Sequence, residues 1–404
     1  MKKAIIQIGK FFVYLAAYAI YPFSFLFPRN KDIMAFGSFH GAFIDNPKYL
    51  FLYINKKLTN KRPVWLSTDK NSVLFVRHLG YEAYSVLSIK GVYFALRAKY
   101  WFINCYTSDI LFCLAGGATV VNLWHGVPMK CIEFGITQGE LAKRYVQREF
   151  WDVFFHPASF RRPDYFASTT DFFDEVFSKS FRIEKSQCLH VGCARNQLLL
   201  QPLEKTLQHI EQYEAPEILS LVRKMQQYDK VYVYMPTWRD SQLEIFANGF
   251  DLDQFNETLK GKNYLALMKP HINTRFDKSR EYSNLIFLPG NVDMYPILPF
   301  TDVLITDYSG TIYDYLLMPN KGIVLFHYDY EEYVKEREFI FPIIDNIAGK
   351  RVYSFEELLQ TVISDDDAVD SQMRAFILSK FWGDTMNKDV CANILRQLNI
   401  TCEA

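Results

Sequence analysis

Short apolar runs recur along the chain, each closed by small or polar residues and followed by a helical stretch. In the first half they fall at 33–36, 64–66, 99–103, 119–123, 164–167 and 188–191. Runs this short, separated by helices, read as strands of a parallel sheet covered by helices on both faces. The pattern lapses over 201–228, which is helical and charged, and restarts at 231–234, 264–268, 285–288, 303–305 and 323–326. The chain therefore folds as two α/β halves. Sheets of this kind bind ligands at the carboxyl ends of their strands, so a cleft between facing halves is expected there.

A chain of 404 residues, half of them hydrophobic, can bury a core in each of two domains. Its 45 Lys+Arg balance its 45 Asp+Glu. No global field favours nucleic acid, and an anion site must be built locally. The seven cysteines (Cys105, Cys113, Cys131, Cys188, Cys193, Cys391, Cys402) are odd in number and contain no Cys-x-x-Cys pair. They read as reduced thiols of a cytosolic protein. His40, His78, His156, His190, His209 and His327 show no metal-ligand spacing, so no structural metal and no cofactor are expected.

Residues 4–27 are almost wholly apolar, with Lys2 and Lys3 before them and Arg29 and Lys31 after. The uncharged part, 11–27, is at the short end of what spans a bilayer, and basic residues on both flanks set no orientation. Ala17-Tyr18-Ala19 resembles a signal cleavage site, but free cysteines argue against export. The reading favoured is a helix lying in or dipping into the cytoplasmic leaflet, with Tyr14, Tyr18 and Tyr21 at headgroup depth; a true span comes second and a soluble helix last.

Polar clusters sit where the strands end. Residues 303–305 run into Thr306-Asp-Tyr-Ser-Gly-Thr311, where small polar residues open a helix over 311–318. Backbone N–H groups and the hydroxyls of Thr306, Ser309 and Thr311 then converge on a spot suited to phosphate or pyrophosphate. Residues 231–234 lead into Met235-Pro-Thr-Trp-Arg-Asp240, 264–268 into Lys269-Pro-His-Ile-Asn273, and 119–123 into Trp124-His-Gly-Val-Pro-Met-Lys130. His125, Lys130, Arg239, Lys269 and His271 thus stand at strand ends, a set that suits a dianionic ligand.

These residues carry a resemblance. Trp124-His125-Gly126, Lys130, Thr237-Trp-Arg239, Lys269-Pro-His271 and Thr306-Asp-Tyr-Ser309 with Tyr313-Asp314 resemble the signature set of the CDP-glycerol glycerophosphotransferase family, the teichoic-acid primases and polymerases and their capsule-synthesis relatives. Asp45-Asn-Pro-Lys-Tyr49, Gly192, Arg195-Asn196, Asp293-Met-Tyr-Pro296, Asp329 and Tyr333 fit the same pattern, which runs from about Phe36 to Leu359. The chain departs from it at Ser309-Gly310, where the family has Ser-Ser, at Lys321-Gly322, where it has Lys/Arg-Pro, and at Arg337-Glu-Phe339. These departures bear on the donor or acceptor more than on the reaction class.

The resemblance implies a GT-B-like architecture of two facing Rossmann-like domains with a cleft between them, plus the N-terminal apolar helix. The expected bounds are 1–31 for that helix, 32–200 for an acceptor domain and 201–228 for a helical connection. A CDP-alditol-binding domain follows over 229–370, and a helical segment over 371–404 can cross back. It further implies attack of an acceptor hydroxyl on the β-phosphorus of CDP-glycerol, releasing CMP, with a lipid-linked saccharide or polymer as acceptor at the cytoplasmic membrane surface. His125 is then the base candidate, and His271 with Arg239 the donor-phosphate ligands. Lys269, Thr306, Asp307, Ser309, Gly310 and Thr311 complete the donor site, Asp307 ranking lower as a helix cap. Lys130 is either a phosphate or acceptor contact or a solvated side chain. A CDP-ribitol donor, a nucleotide-sugar glycosyltransferase on the same architecture and a non-catalytic scaffold are the competing readings. Asp251-Leu-Asp253 has the spacing of a metal-binding Asp-x-Asp, but it precedes a helical run and reads as a cap.

Overall fold

The computed structural model describes residues 2–237, 250–269 and 280–400. The chain divides into two compact units. The first comprises Met1–His125, Cys131–Arg195 and Asp384–Ala404, the second Gly126–Lys130 and Asn196–Gly383.

The first unit is built on a sheet of seven parallel strands: β1 (Asn30–Phe36), β2 (Arg62–Ser67), β3 (Ala83–Ser85), β4 (Ala98–Ile103), β5 (Thr119–Asn122), β6 (Tyr165–Ser168) and β7 (Cys188–His190). Their order is β3-β2-β1-β4-β5-β6-β7, every neighbouring pair parallel. The interior strands are buried on both faces, which is why they read as continuous apolar runs and not as alternation. The second unit repeats the plan with β8 (Lys230–Tyr234), β9 (Tyr264–Met268), β10 (Leu285–Phe287), β11 (Val303–Thr306), β12 (Gly322–Phe326) and β13 (Lys350–Val352), in the order β10-β9-β8-β11-β12-β13. Its core gathers Tyr232, Ile305, Val324 and Phe326 from the sheet with Phe255, Leu259 and Leu358 from covering helices.

Two strands were not expected, β3 and β13. Both are three residues long and lie at sheet edges, where one neighbour is missing and apolar content drops. The helix expected over 311–318 is shorter, Thr311–Tyr315, and gives way to a turn. Asp251 does cap its helix, Leu252–Gly261: its carboxylate accepts the Gln254 N–H at 3.0 Å. The stretch 90–101, in which Lys90, Arg97 and Lys99 stand among aromatic residues, is largely core. Phe94 and Trp101 are buried, because this stretch is the helix Ile89–Arg97 and the central strand β4.

Candidate active site

In the first unit the turn after β5 is unusual. Trp124 adopts φ +50°, a left-handed conformation that costs a non-glycine residue on the order of 1–3 kcal/mol, and Gly126 follows at φ +115°. Three side chains hold it. Asn122 Oδ1 accepts the Trp124 N–H at 2.9 Å, and Asn46 Nδ2 donates to the carbonyl of Trp124 at 2.8 Å. The Arg195 guanidinium donates to the carbonyl of His125 at 2.7 Å and to Asp45 Oδ1 at 2.8 Å. Trp124 itself is buried against Phe166 and Phe181. The strained turn is thereby fixed, and it presents the His125 ring at the surface.

His125 Nδ1 lies 3.3 Å from the carbonyl oxygen of Asn104 and 3.5 Å from Cys105 Sγ. A carbonyl only accepts, so in its contact with Asn104 the Nδ1 is the donor. Asn104 is fixed in turn. Its backbone N–H and that of Cys105 donate to Asp109 Oδ2 at 3.0 and 2.8 Å, and its side-chain amide donates to Asp45 Oδ2 at 3.1 Å. Nearby, the buried Glu133 carboxylate is bracketed by the hydroxyls of Tyr106 and Tyr145, and burial raises its pKa against their pull.

Burial pushes the Asp109 carboxyl up to about 7, against the three backbone N–H groups of Cys105, Asn104 and Tyr106. The folded chain therefore holds this proton where the unfolded chain, with the ordinary value of 3.8, has lost it. Asp109 thus contributes stability that is full below the ordinary value and is lost as pH rises through about 7. In Asp109→Asn the amide oxygen keeps the hydrogen bonds from the Asn104 and Cys105 N–H groups and the titration disappears. Chemical denaturation from about pH 5 to about pH 8 should show the parent losing stability relative to the variant. A pH-independent difference would contradict this.

In the second unit the sheet order places β9, β8 and β11 side by side, so their carboxyl ends bring Lys269, Met235–Thr237 and Thr306–Thr311 together. Thr306 and Asp307 are buried and bind the chain itself. Thr306 Oγ1 donates to the carbonyl of Met235 at 2.6 Å, and the Asp307 carboxylate accepts from the Thr237 N–H at 2.9 Å and from the Thr237 hydroxyl. Asp307 does not cap the following helix, whose N-cap is Gly310 with no side-chain cap. Ser309, Gly310 and Thr311 are half-buried and reach the surface, with Ser309 Oγ accepting the Thr311 N–H at 3.3 Å. Lys269 donates to the carbonyl of Gly290 at 2.7 Å, and burial lowers its pKa while Asp293 opposes the shift. Lys130 donates to the Tyr333 hydroxyl at 2.7 Å, and Tyr333 stacks on Tyr308. Arg239 and His271 lie outside the described residues.

Gly310 is tightly placed: a Cβ there would lie 2.6 Å from the carbonyl oxygen of Val127. Gly310→Ala must displace that backbone, and a shift of this size is expected to lower turnover roughly 10- to 100-fold. Parent-like turnover would show that this close approach is dispensable.

The first unit thus presents a strand-end histidine, and the second a turn rich in hydroxyls and backbone amides. Residues 19–394 match the family model described as CDP-Glycerol:Poly(glycerophosphate) glycerophosphotransferase. The chain belongs to that family. A teichoic acid glycerol-phosphate transferase of Staphylococcus aureus is 26% identical over 356 residues, covering 86% of this chain and 87% of the relative. A teichoic acid poly(glycerol phosphate) polymerase of Staphylococcus epidermidis is also 26% identical, covering 90% of this chain but only about half, 51%, of the polymerase. The solved structure of the wall teichoic acid polymerase TagF matches with a TM-score of 0.73 at 21% identity, over 98% of this chain and 94% of that one. At that identity the likeness speaks for the fold alone.

For a glycerophosphotransferase of this family, the structure gives several signature residues a physical task. Asp45, Asn46 and Arg195 brace the His125 turn. Asp314 is buried in the second unit, accepting from Asn196 Nδ2 at 2.8 Å and from the Tyr295 hydroxyl. Asn104 and Asn122 carried no role in the sequence reading. The available signal was an Asn directly after the apolar run 99–103 and another inside the run 119–123.

Proposed function

We propose that this chain transfers glycerol phosphate from CDP-glycerol to a hydroxyl of a membrane-linked wall-polymer precursor at the cytoplasmic face of the membrane, releasing CMP. The observation that supports this reading is the Nδ1–Asn104 contact of 3.3 Å on a braced turn, and His125 Nε2 is proposed as the proton acceptor. In the proposed reaction the acceptor O–H gives its proton to Nε2 and the oxygen attacks the β-phosphorus. The bond from that phosphorus to the bridging oxygen breaks, and CMP leaves with the electron pair.

Ser309, Gly310 and Thr311, with the Lys269 ammonium, are proposed to hold the diphosphate, joined by Arg239 and His271. A guanidinium grips two phosphate oxygens at once, which makes Arg239 suited to the task. Thr306 and Asp307 are proposed to shape this turn and not to touch the donor, since both are buried and hydrogen-bonded to residues of the loop after β8. Lys130 is proposed to act through Tyr333, as its hydrogen bond suggests.

The test is a donor panel. The purified chain is incubated with CDP-glycerol, CDP-ribitol or a UDP-sugar, each with a lipid-linked acceptor analogue, and the released nucleotide is scored. CMP from CDP-glycerol is expected. CMP from CDP-ribitol alone would move the assignment to ribitol, and UDP release alone would make the chain a glycosyltransferase.

A further inference from the structure

The loop after β4 reads Asn104-Cys-Tyr-Thr-Ser-Asp109 and folds back on itself. Asp109 Oδ2 accepts the backbone N–H of Asn104 at 3.0 Å and that of Cys105 at 2.8 Å, and all three residues are buried. A carboxylate that closes its own turn in this way is common. This one is set apart by the peptide it binds. The Cys105 N–H and the Asn104 carbonyl belong to one planar peptide group. The oxygen on the far side of that group accepts from His125 Nδ1 at 3.3 Å. Carboxylate, peptide and imidazole therefore stand in one hydrogen-bonded row.

The row is held from its sides. Asn104 Oδ1 accepts the Phe39 N–H at 2.9 Å, and Asn122 Nδ2 donates to the carbonyl of Cys105 at 2.8 Å. Asn122 Oδ1 takes the Trp124 N–H, so one side chain ties this loop to the turn that carries His125. Buried hydrogen bonds in series polarise one another. A negative charge at the N–H end of a peptide makes the carbonyl at its other end a stronger acceptor. Other ionisable groups surround Asp109. Asp45, ion-paired with Arg195, adds to the upward push of burial on its carboxyl, and Cys105, Tyr106 and Glu133 share its surroundings. His40 on the turn Phe39–Gly41 and Cys113 on the turn Phe112–Leu114 come from the two segments packed against Thr107–Asp109.

We propose that Asp109 is a positioning residue for His125. Its carboxylate, acting through the Asn104–Cys105 peptide, holds the ring by Nδ1–H and stabilises the imidazolium that forms when Nε2 takes the acceptor proton. That proton stays on Nε2 during the transfer, and none passes to Asp109. The inference rests on His125 as the base and deepens that reading by assigning the group that sets its orientation and basicity. Burial pushes the Asp109 carboxyl up to about 7, so the row carries its full charge above neutrality and loses it below.

The test is Asp109→Asn in the full-length chain, which keeps an acceptor for the Asn104 and Cys105 N–H groups and removes the charge. At about pH 8.5 its kcat for CMP release should be roughly 3- to 30-fold below the parent's, with the KM for CDP-glycerol unchanged. At about pH 5.5 the two should nearly agree, because the parent carboxyl is then protonated as well. Asp109→Glu should restore part of the rise with pH. A loss of equal size at every pH would mean that Asp109 only shapes the turn, and would overturn the proposal. NMR of the chain with ring-labelled histidine reads the same coupling without turnover, His125→Gln assigning the signals. The His125 ring should titrate at least about half a pH unit lower in Asp109→Asn. In the parent its signals should also move as the Asp109 carboxyl ionises, which decides the matter even if the variant fails to fold. An unchanged titration in a folded variant, or parent signals indifferent to Asp109, would overturn the proposal. Parent-like turnover in His125→Ala, with the Asp109-dependent shift of the His125 ring still present, would overturn the base reading and uphold the coupling.

Discussion

His125→Ala is expected to lower kcat for CMP release by at least about 100-fold while leaving the KM for CDP-glycerol within a few-fold of the parent. The expectation follows from where the ring is held. Nδ1 is turned to the Asn104 carbonyl at 3.3 Å, so removing the imidazole removes the proposed proton acceptor and leaves the strand-end groups of the second unit in place. Histidine titrates near neutrality, which no other side chain on that turn does. His125→Gln is the companion variant, because its amide keeps polarity without accepting a proton at neutral pH. Steady-state kinetics on both variants decide the matter, and near-parent kcat in either would remove His125 from the chemistry.

Arg195→Met should be the most destabilising substitution in the first unit's site and should lower kcat as well. Arg195 and Asp45 are nearly buried, with 8% and 13% of their side chains exposed. Removing one partner of such a pair strands the other charge, at a cost of about 3–5 kcal/mol. It also frees the His125 carbonyl, which Arg195 holds at 2.7 Å, and loosens a turn that needs support to keep Trp124 at φ +50°. Arg195→Lys keeps the charge, but a single ammonium cannot serve both acceptors with the fork of a guanidinium, so it should fall between parent and Met. Denaturant unfolding and the pH profile of kcat separate the two effects. A variant of parental stability would show the pair is not what braces this turn.

Interior strands could be read from the sequence because burial on both faces forces continuous apolar runs, as at β8, β9 and β11. The edge strands β3 and β13 could not, because Ala83–Ser85 and Lys350–Val352 are short and partly polar. The strand-end residues of the site were legible for a similar reason: a histidine or a run of hydroxyls directly after an apolar run stands out. What braces them was not. Asp45 and Arg195 meet across 150 residues of chain, and Asn104 and His125 across 21, distances over which no local pattern speaks. The helix Phe150–Phe155 was not legible either, because six residues are too few to show a period.

The most direct measurement follows the glycerol phosphate itself. CDP-glycerol carrying label in both the glycerol and the β-phosphorus is given to the enzyme with a lipid-linked acceptor, and the polymer product and CMP are counted together. The account predicts both labels in the product in equal amounts, one CMP for each unit added, and little CMP without acceptor. Glycerol label arriving without phosphorus, or CMP released equally with and without acceptor, would contradict it.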